Sequence, residues 1–129
     1  LTKDSMEDMI SMGRRLSEET GAVILMTGAV DLAVFGRQTA VIYNGDPDMA
    51  RITGSGCMLD GVLGVFAGAS PESLFDSVVT AAGTMGICGE KAAAASRGTG
   101  SFRMCFIDEM SKITAKQVER GIRIEYKSK

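Results

Sequence analysis

The sequence has 129 residues, enough for one domain, and carries 14 lysines and arginines against 16 aspartates and glutamates, a net charge of −2. That balance excludes the clustered positive charge of a nucleic-acid stripe or a polybasic membrane patch. The absence of histidine removes Ser-His and Cys-His couples, imidazole bases and histidine metal ligands, so chemistry must rest on carboxylates, backbone amides, thiols or bound cofactors.

Met6, Met9, Ile10, Gly13 and Leu16 recur at helical spacing, with charges on the opposite side. Ser5 and Asp8 stand at capping-box spacing and Gly21 is a stop, so the pattern predicts an amphipathic helix over 5–20. The apolar run Ala22-Val23-Ile24-Leu25-Met26 is too short for a helix and suits a parallel strand covered on both faces. Two short strands follow, 30–35 and 38–43, around Gly36-Arg37; glycine at the first turn position predicts a type II′ hairpin. Asn44-Gly45-Asp46-Pro47 breaks the sheet. Gly54-Ser55-Gly56 then leads into a helix with apolar positions Leu59, Val62, Leu63 and Phe66. Pro71-Glu72 opens a second helix, which runs to about Ala95 through the small residues Ala81, Ala82, Gly83, Gly86 and Gly89, a composition that permits close backbone packing. Residues 96–101 read as another glycine-containing turn, and 102–110 as a short helix. Thr114 with Gln117 caps a last helical turn ended by Gly121, and Ile122, Ile124 and Tyr126 alternate as a terminal strand.

One both-faces strand, one hairpin and a terminal strand are a poor inventory for a complete doubly wound sheet. With a start at Leu1 rather than methionine, they predict the C-terminal half of a larger α/β protein. The three cysteines, Cys57, Cys88 and Cys105, form no C-x-x-C pair and fit neither a disulfide framework nor a zinc site. Reduced thiols are expected. The longest uncharged stretch, 77–89, has 13 residues, short for a bilayer, and no leader pattern opens the sequence. A soluble, cytoplasmic protein is expected.

Thr53-Gly54-Ser55-Gly56-Cys57-Met58-Leu59 is the segment richest in chemical content. A glycine-rich loop at a helix start offers unpaired N–H groups and the positive end of the helix dipole, the equipment for holding a phosphoryl group. No Gly-Lys-Ser/Thr follows, and Leu59 occupies the third glycine position of G-x-G-x-x-G, so neither nucleotide fingerprint is met. The competing reading is a small-residue turn that starts a core helix. Cys57, first after the loop, suits a base or nucleophile with a lowered pKa, or a small buried hydrophobe. Asp60 shares its helix face or serves helix electrostatics. Arg97 and Arg103 flank Gly98-Thr99-Gly100 and are in reach of a phosphate or solvated. Cys88, Cys105 and the methionines Met6, Met9, Met58, Met85 and Met110 read as core.

In order along the chain, Val23-Ile24-Leu25-Met26-Thr27-Gly28-Ala29-Val30-Asp31, Asn44-Gly45-Asp46-Pro47, Ile52-Thr53-Gly54-Ser55-Gly56-Cys57-Met58-Leu59 and Gly98-Thr99-Gly100-Ser101-Phe102 resemble the C-terminal half of the hydroxyethylthiazole kinase family, ribokinase-like enzymes of thiamine salvage. The resemblance covers essentially the whole chain. Its specific element is Thr-Gly-x-Gly-Cys, since the wider ribokinase-like group usually carries aspartate in place of Cys57.

The resemblance implies a ribokinase-like three-layer α/β/α fold of which residues 1–129 are the C-terminal half. It also implies transfer of the γ-phosphoryl of ATP to the hydroxyl of 4-methyl-5-(2-hydroxyethyl)thiazole, with Mg²⁺. By motif match, Thr27 would touch the nucleotide phosphates, Gly54 would line the substrate site, Ser55 and Gly56 would complete an anion hole, and Cys57 would be the catalytic base. No metal ligand carries over onto this half. The family assembles as trimers with substrate sites at subunit contacts, and the N-terminal half supplies most thiazole contacts, so the isolated chain is expected to be inactive. Ala29, Asp46, Asp60 and Thr99 depart from the usual family residues. Alternatives are a ribokinase-like kinase for another small alcohol, or a catalytically silent fragment for assembly or nucleotide binding.

Overall fold

The computed structural model describes the backbone of residues 3–128 and the side chains of 5–127. Leu1, on which part of the half-protein expectation rests, lies outside the described residues. Four strands, β1 (Ile24–Met26), β2 (Asp31–Phe35), β3 (Gln38–Ile42) and β4 (Ile124–Ser128), form one sheet in that order, antiparallel throughout. Helix α1 (Lys3–Thr20) covers one face and α3 (Leu74–Ala95) the other. Helices α2 (Ser55–Ala69), α4 (Thr99–Lys112) and α5 (Ala115–Gly121) pack around α3. This is a three-layer α/β/α arrangement, as the resemblance implies.

Strand alternation divides the core. Leu32 and Val41, directly opposite each other, point at α1 and meet Ile10, Met6, Met9 and Met26. Ala33, Ala40 and Ile42 point the other way, against Phe75, Val79 and Ala82 of α3. Each of the fully buried Leu32, Val34, Val41 and Ile42 removes enough apolar surface to contribute about 1.5–3 kcal/mol. The strand expected to be parallel and buried on both faces is therefore not 22–26. β1 is a half-buried edge strand, antiparallel to β2, and complete burial falls on the hairpin. A short apolar run fixes neither a strand's direction nor its complete burial.

The local signals fared better. Gly36 has φ +55° and no non-glycine residue among those described has positive φ, which fits a type II′ turn and excludes type I′. Gly21 ends α1 at φ +71°, its N–H donating to the Ser17 carbonyl at 2.8 Å. Thr114 and Gln117 form the expected capping box on α5. Several boundaries move by a few residues. α1 begins at Lys3, so Ser5 lies in its first turn rather than capping it. α4 begins at Thr99, because Ser101 Oγ accepts from the amides of Arg97 and Gly98 at 3.0 and 3.2 Å, making the glycine turn the helix's own cap.

Residues 81–89 of α3 are buried on every side, which its small side chains allow. Gly86 is the tightest point against a main chain: a β-carbon there would stand 2.7 Å from the carbonyl carbon of Asn44. The segment leaving β3 thus lies directly on α3. Cys88 is fully buried with Phe102 and Phe106, whose rings stack at 5.6 Å, and Cys105 packs against the same cluster. Burial pushes the Cys88 thiol up to about 11, the behaviour of a core residue. No single helix among the described residues is long and apolar enough to cross a membrane.

Candidate functional site

A cavity of about 570 Å³ opens where three segments meet: the turn after β1, the segment after β3 and the start of α2. Thr27, Gly28, Ala29 and Asp31 form one wall, Asn44 to Pro47 a second, and Ser55 with Gly56 a third; Ala82 and Met85 of α3 lie beneath.

The α2 wall is built for negative charge. Gly54 precedes the helix at φ +94°, a left-handed conformation that favours glycine, and no side chain caps the helix start. The first amide to bond back is that of Met58, to the Gly54 carbonyl at 3.0 Å. The N–H groups of Ser55, Gly56 and Cys57 therefore have no acceptor within the helix, and the positive end of the dipole faces the opening. A β-carbon on Gly56 would meet nothing within 4 Å. Packing within the described residues does not account for glycine at that position.

On the facing wall, Asp31 Oδ1 accepts from the Gly28 amide at 2.9 Å, closing the turn that presents Thr27. Burial raises the Asp31 carboxyl above its ordinary value, opposed by that hydrogen bond. Asp46 Oδ1 accepts from the Asp48 amide at 2.9 Å and caps the 3₁₀ turn Pro47–Arg51. Both carboxylates thus already hold backbone donors.

Of the residues singled out from sequence, Thr27, Ser55 and Gly56 come together on this cavity; Gly54, just before α2, is not among its lining. Cys57 does not line it: its side chain is exposed, about 200° around the helix from Ser55. Asp60 is exposed and likewise outside the lining, so it presents no charge to a phosphate there. Arg97 and Arg103 are exposed and absent from the cavity walls, which leaves solvation as their reading. Among the described residues no group of three or more histidine, cysteine, aspartate or glutamate side chains is placed to hold a metal ion.

Sequence reasoning missed Asp31 as the residue that closes the Thr27 turn, and missed Glu90 and Arg123 altogether. Asp31 had an available signal, since aspartate three residues after a glycine can accept from its amide. Glu90 and Arg123 had none.

A family model described as the hydroxyethylthiazole kinase family matches residues 2–116. The chain belongs to this family. Hydroxyethylthiazole kinase 2 of Clostridium botulinum is 42% identical over 124 residues, a match covering 96% of this chain and 46% of that protein. The hydroxyethylthiazole kinase of Cereibacter sphaeroides is 38% identical over 112 residues, covering 87% and 42%. A solved structure of the hydroxyethylthiazole kinase protein from Pyrococcus horikoshii OT3 superposes with a TM-score of 0.89 at 26% identity, over 97% of this chain and 48% of that one. The chain spans about half the length of the hydroxyethylthiazole kinases it matches.

Proposed function

We propose that residues 1–129 are the nucleotide-binding, C-terminal half of a single ribokinase-like domain. Joined to its N-terminal half, it transfers the γ-phosphoryl of ATP to the hydroxyl of 4-methyl-5-(2-hydroxyethyl)thiazole in thiamine salvage. The observation that carries this reading is the uncapped α2 start, with the free amides of Ser55 and Gly56 at a cavity whose far wall holds Thr27. Phosphoryl transfer has a loose transition state with charge spread over the transferred group, so fixed amide donors and positioning matter more than proton removal. In this reading Thr27 binds the phosphates, Gly54 borders the substrate, and Ser55 and Gly56 receive the developing charge. Cys57 takes the proton from the attacking hydroxyl on the exposed side of the helix, where the other half would hold the alcohol.

Among the described residues no group of three carboxylates or thiols gathers to hold a metal ion, and Asp31 and Asp46 each accept from a backbone amide. Mg²⁺ fits instead as an ion carried on the nucleotide phosphates, which suits its habit of keeping waters and few protein ligands. The family membership also supports a cytoplasmic protein working as a homotrimer. β1 offers an unpaired edge among the described residues, and strands of the N-terminal half would extend the sheet there.

The test is to combine the chain with the N-terminal half of a full-length relative and follow ATP-dependent phosphorylation of the thiazole alcohol by mass spectrometry. Turnover is expected from the pair and from neither part alone. Phosphorylation of other small alcohols in place of the thiazole would reassign the substrate. A pair that folds together, binds ATP and phosphorylates nothing would overturn the kinase reading in favour of a silent binding fragment.

A further inference from the structure

We propose that Glu90 is a positioning residue that holds the Asn44–Pro47 wall in shape for ligand, acting with Asn44 and Arg123; this rests on the reading of that cavity as the nucleotide site. Glu90, half-buried on α3, does not touch the cavity itself. Its Oε1 accepts from the Gly45 amide at 2.9 Å, from Asn44 Nδ2 at 3.3 Å and from Arg123 Nη2 at 2.6 Å, while Oε2 accepts from Arg123 Nη1 at 3.2 Å.

Asn44 extends the set. Buried to 4% exposure, its Nδ2 also donates to the Gly121 carbonyl at 3.0 Å, and its Oδ1 accepts from the Arg123 amide at 2.7 Å. Arg123 Nη2 donates further to the Tyr43 carbonyl at 3.0 Å.

These bonds matter because the chain has left the sheet at Ile42 and turns at Gly45, φ +139°, before Asp46 starts the next turn. Over Asn44–Gly45 no ladder partner remains. One carboxylate gathers the donors from both sides of the turn, and its bonds to a guanidinium are of the strong, charge-assisted kind. The wall of the cavity is thereby tied to the chain just before β4, about 80 residues away in sequence. The carboxylate does no chemistry on a ligand; it decides where the wall stands.

The experiment measures two things on the full 129-residue chain: amide hydrogen exchange, and affinity for a non-hydrolysable ATP analogue with Mg²⁺. In Glu90→Ala the Gly45 amide should exchange about tenfold faster, the factor of about one lost hydrogen bond, with the β2 and β3 amides unchanged. Analogue affinity should fall severalfold in the same variant. Glu90→Gln keeps an acceptor for Gly45 and should recover most of both. Arg123→Met, a change at a more exposed side chain, should loosen the same amide and gives the comparison if the alanine variant does not fold. Unchanged Gly45 exchange overturns the proposal. So does equal acceleration throughout the sheet, which would mark a merely structural residue, and so does a loosened wall with unaltered affinity. A wild-type chain that leaves the analogue unbound overturns the nucleotide reading and with it the role in binding, while the exchange data still judge the brace by itself.

Discussion

Gly86 and Asn44 meet backbone to backbone: a β-carbon on Gly86 would lie 2.6 Å from the Asn44 β-carbon and 2.8 Å from its carbonyl oxygen. Alanine in place of glycine inside a helix ordinarily stabilises by about 0.5–1 kcal/mol. Here the obstacle is the backbone and β-carbon of a residue whose side chain is held by three hydrogen-bonding partners, Glu90, Gly121 and Arg123, and overpacking of that kind costs about 1–3 kcal/mol. Gly86→Ala is therefore expected to be destabilising, read as a lower urea midpoint. Gly89→Ala should be close to neutral, because its obstacle is the flexible end of the Met49 side chain. Equal midpoints for wild type and Gly86→Ala would show that the Asn44 segment is free to move off α3.

Gly56 gives the opposite pattern. Its surroundings are open and its φ is not positive, so a side chain costs the fold little. Gly56→Val is expected to keep the wild-type melting temperature to within a few degrees while losing at least about tenfold in affinity for an ATP analogue, since the side chain would stand between the phosphates and the amides. Undiminished affinity in a folded Gly56→Val protein would refute the anion hole.

Cys57→Asp, made in the complete two-half enzyme, is expected to retain or raise turnover, because aspartate is a competent base in the same loop and base strength contributes modestly to a loose phosphoryl transfer. The check is the rate of thiazole phosphorylation beside a measured nucleotide affinity. Full loss of turnover with nucleotide binding intact would remove Cys57 from the base role.

Thr84 is 5% exposed and its hydroxyl has no hydrogen-bond partner among the described residues. Thr84→Val keeps the shape and removes the unpaired group, so it is expected to raise stability by about 1 kcal/mol in urea unfolding. A lower midpoint in the variant would mean that the hydroxyl is satisfied in solution, by water or by a rotated side chain.

Glu109 sits between Lys112 and Lys91, each ammonium 2.8 Å from one of its oxygens. The hydrogen bonds from Lys112 and then Lys91 hold its carboxyl below the ordinary value of 4.5. A folded-state value below the unfolded one means the folded form binds the proton less readily. The stabilisation is therefore complete above about pH 4.5 and lost as the pH falls through the folded value. Urea midpoints from pH 6 down to pH 3 should fall more steeply for wild type than for Glu109→Gln, converging at the acid end. Parallel curves would show that the two lysines do not bias this carboxylate.

The parts of this protein that were legible from sequence are those whose causes lie within a few residues. Gly36 sets the hairpin turn, Gly21 stops α1, Thr114 and Gln117 cap each other, and Gly54-Ser55-Gly56 opens a helix without a side-chain cap. Each is a backbone requirement met by its neighbours. The Ala22–Met26 run was legible as a strand and misread in both burial and direction, because the strands and helices that cover it leave no mark on its own composition.

The sequence by itself determined most of the elements, the absence of imidazole chemistry and, through the motifs between Val23 and Phe102, the resemblance to the family. Tertiary structure alone decided what those elements assemble. It set Thr27 across a cavity from Ser55 and Gly56, turned Cys57 and Asp60 away from it, and brought Glu90 and Arg123, 33 residues apart, onto the Asn44 turn. The reason is physical. A helix or turn is selected by short-range dihedral and capping energies that each residue carries with it. A cavity wall is selected by which surfaces can approach, and that depends on a glycine in α3 leaving room for an asparagine 42 positions earlier.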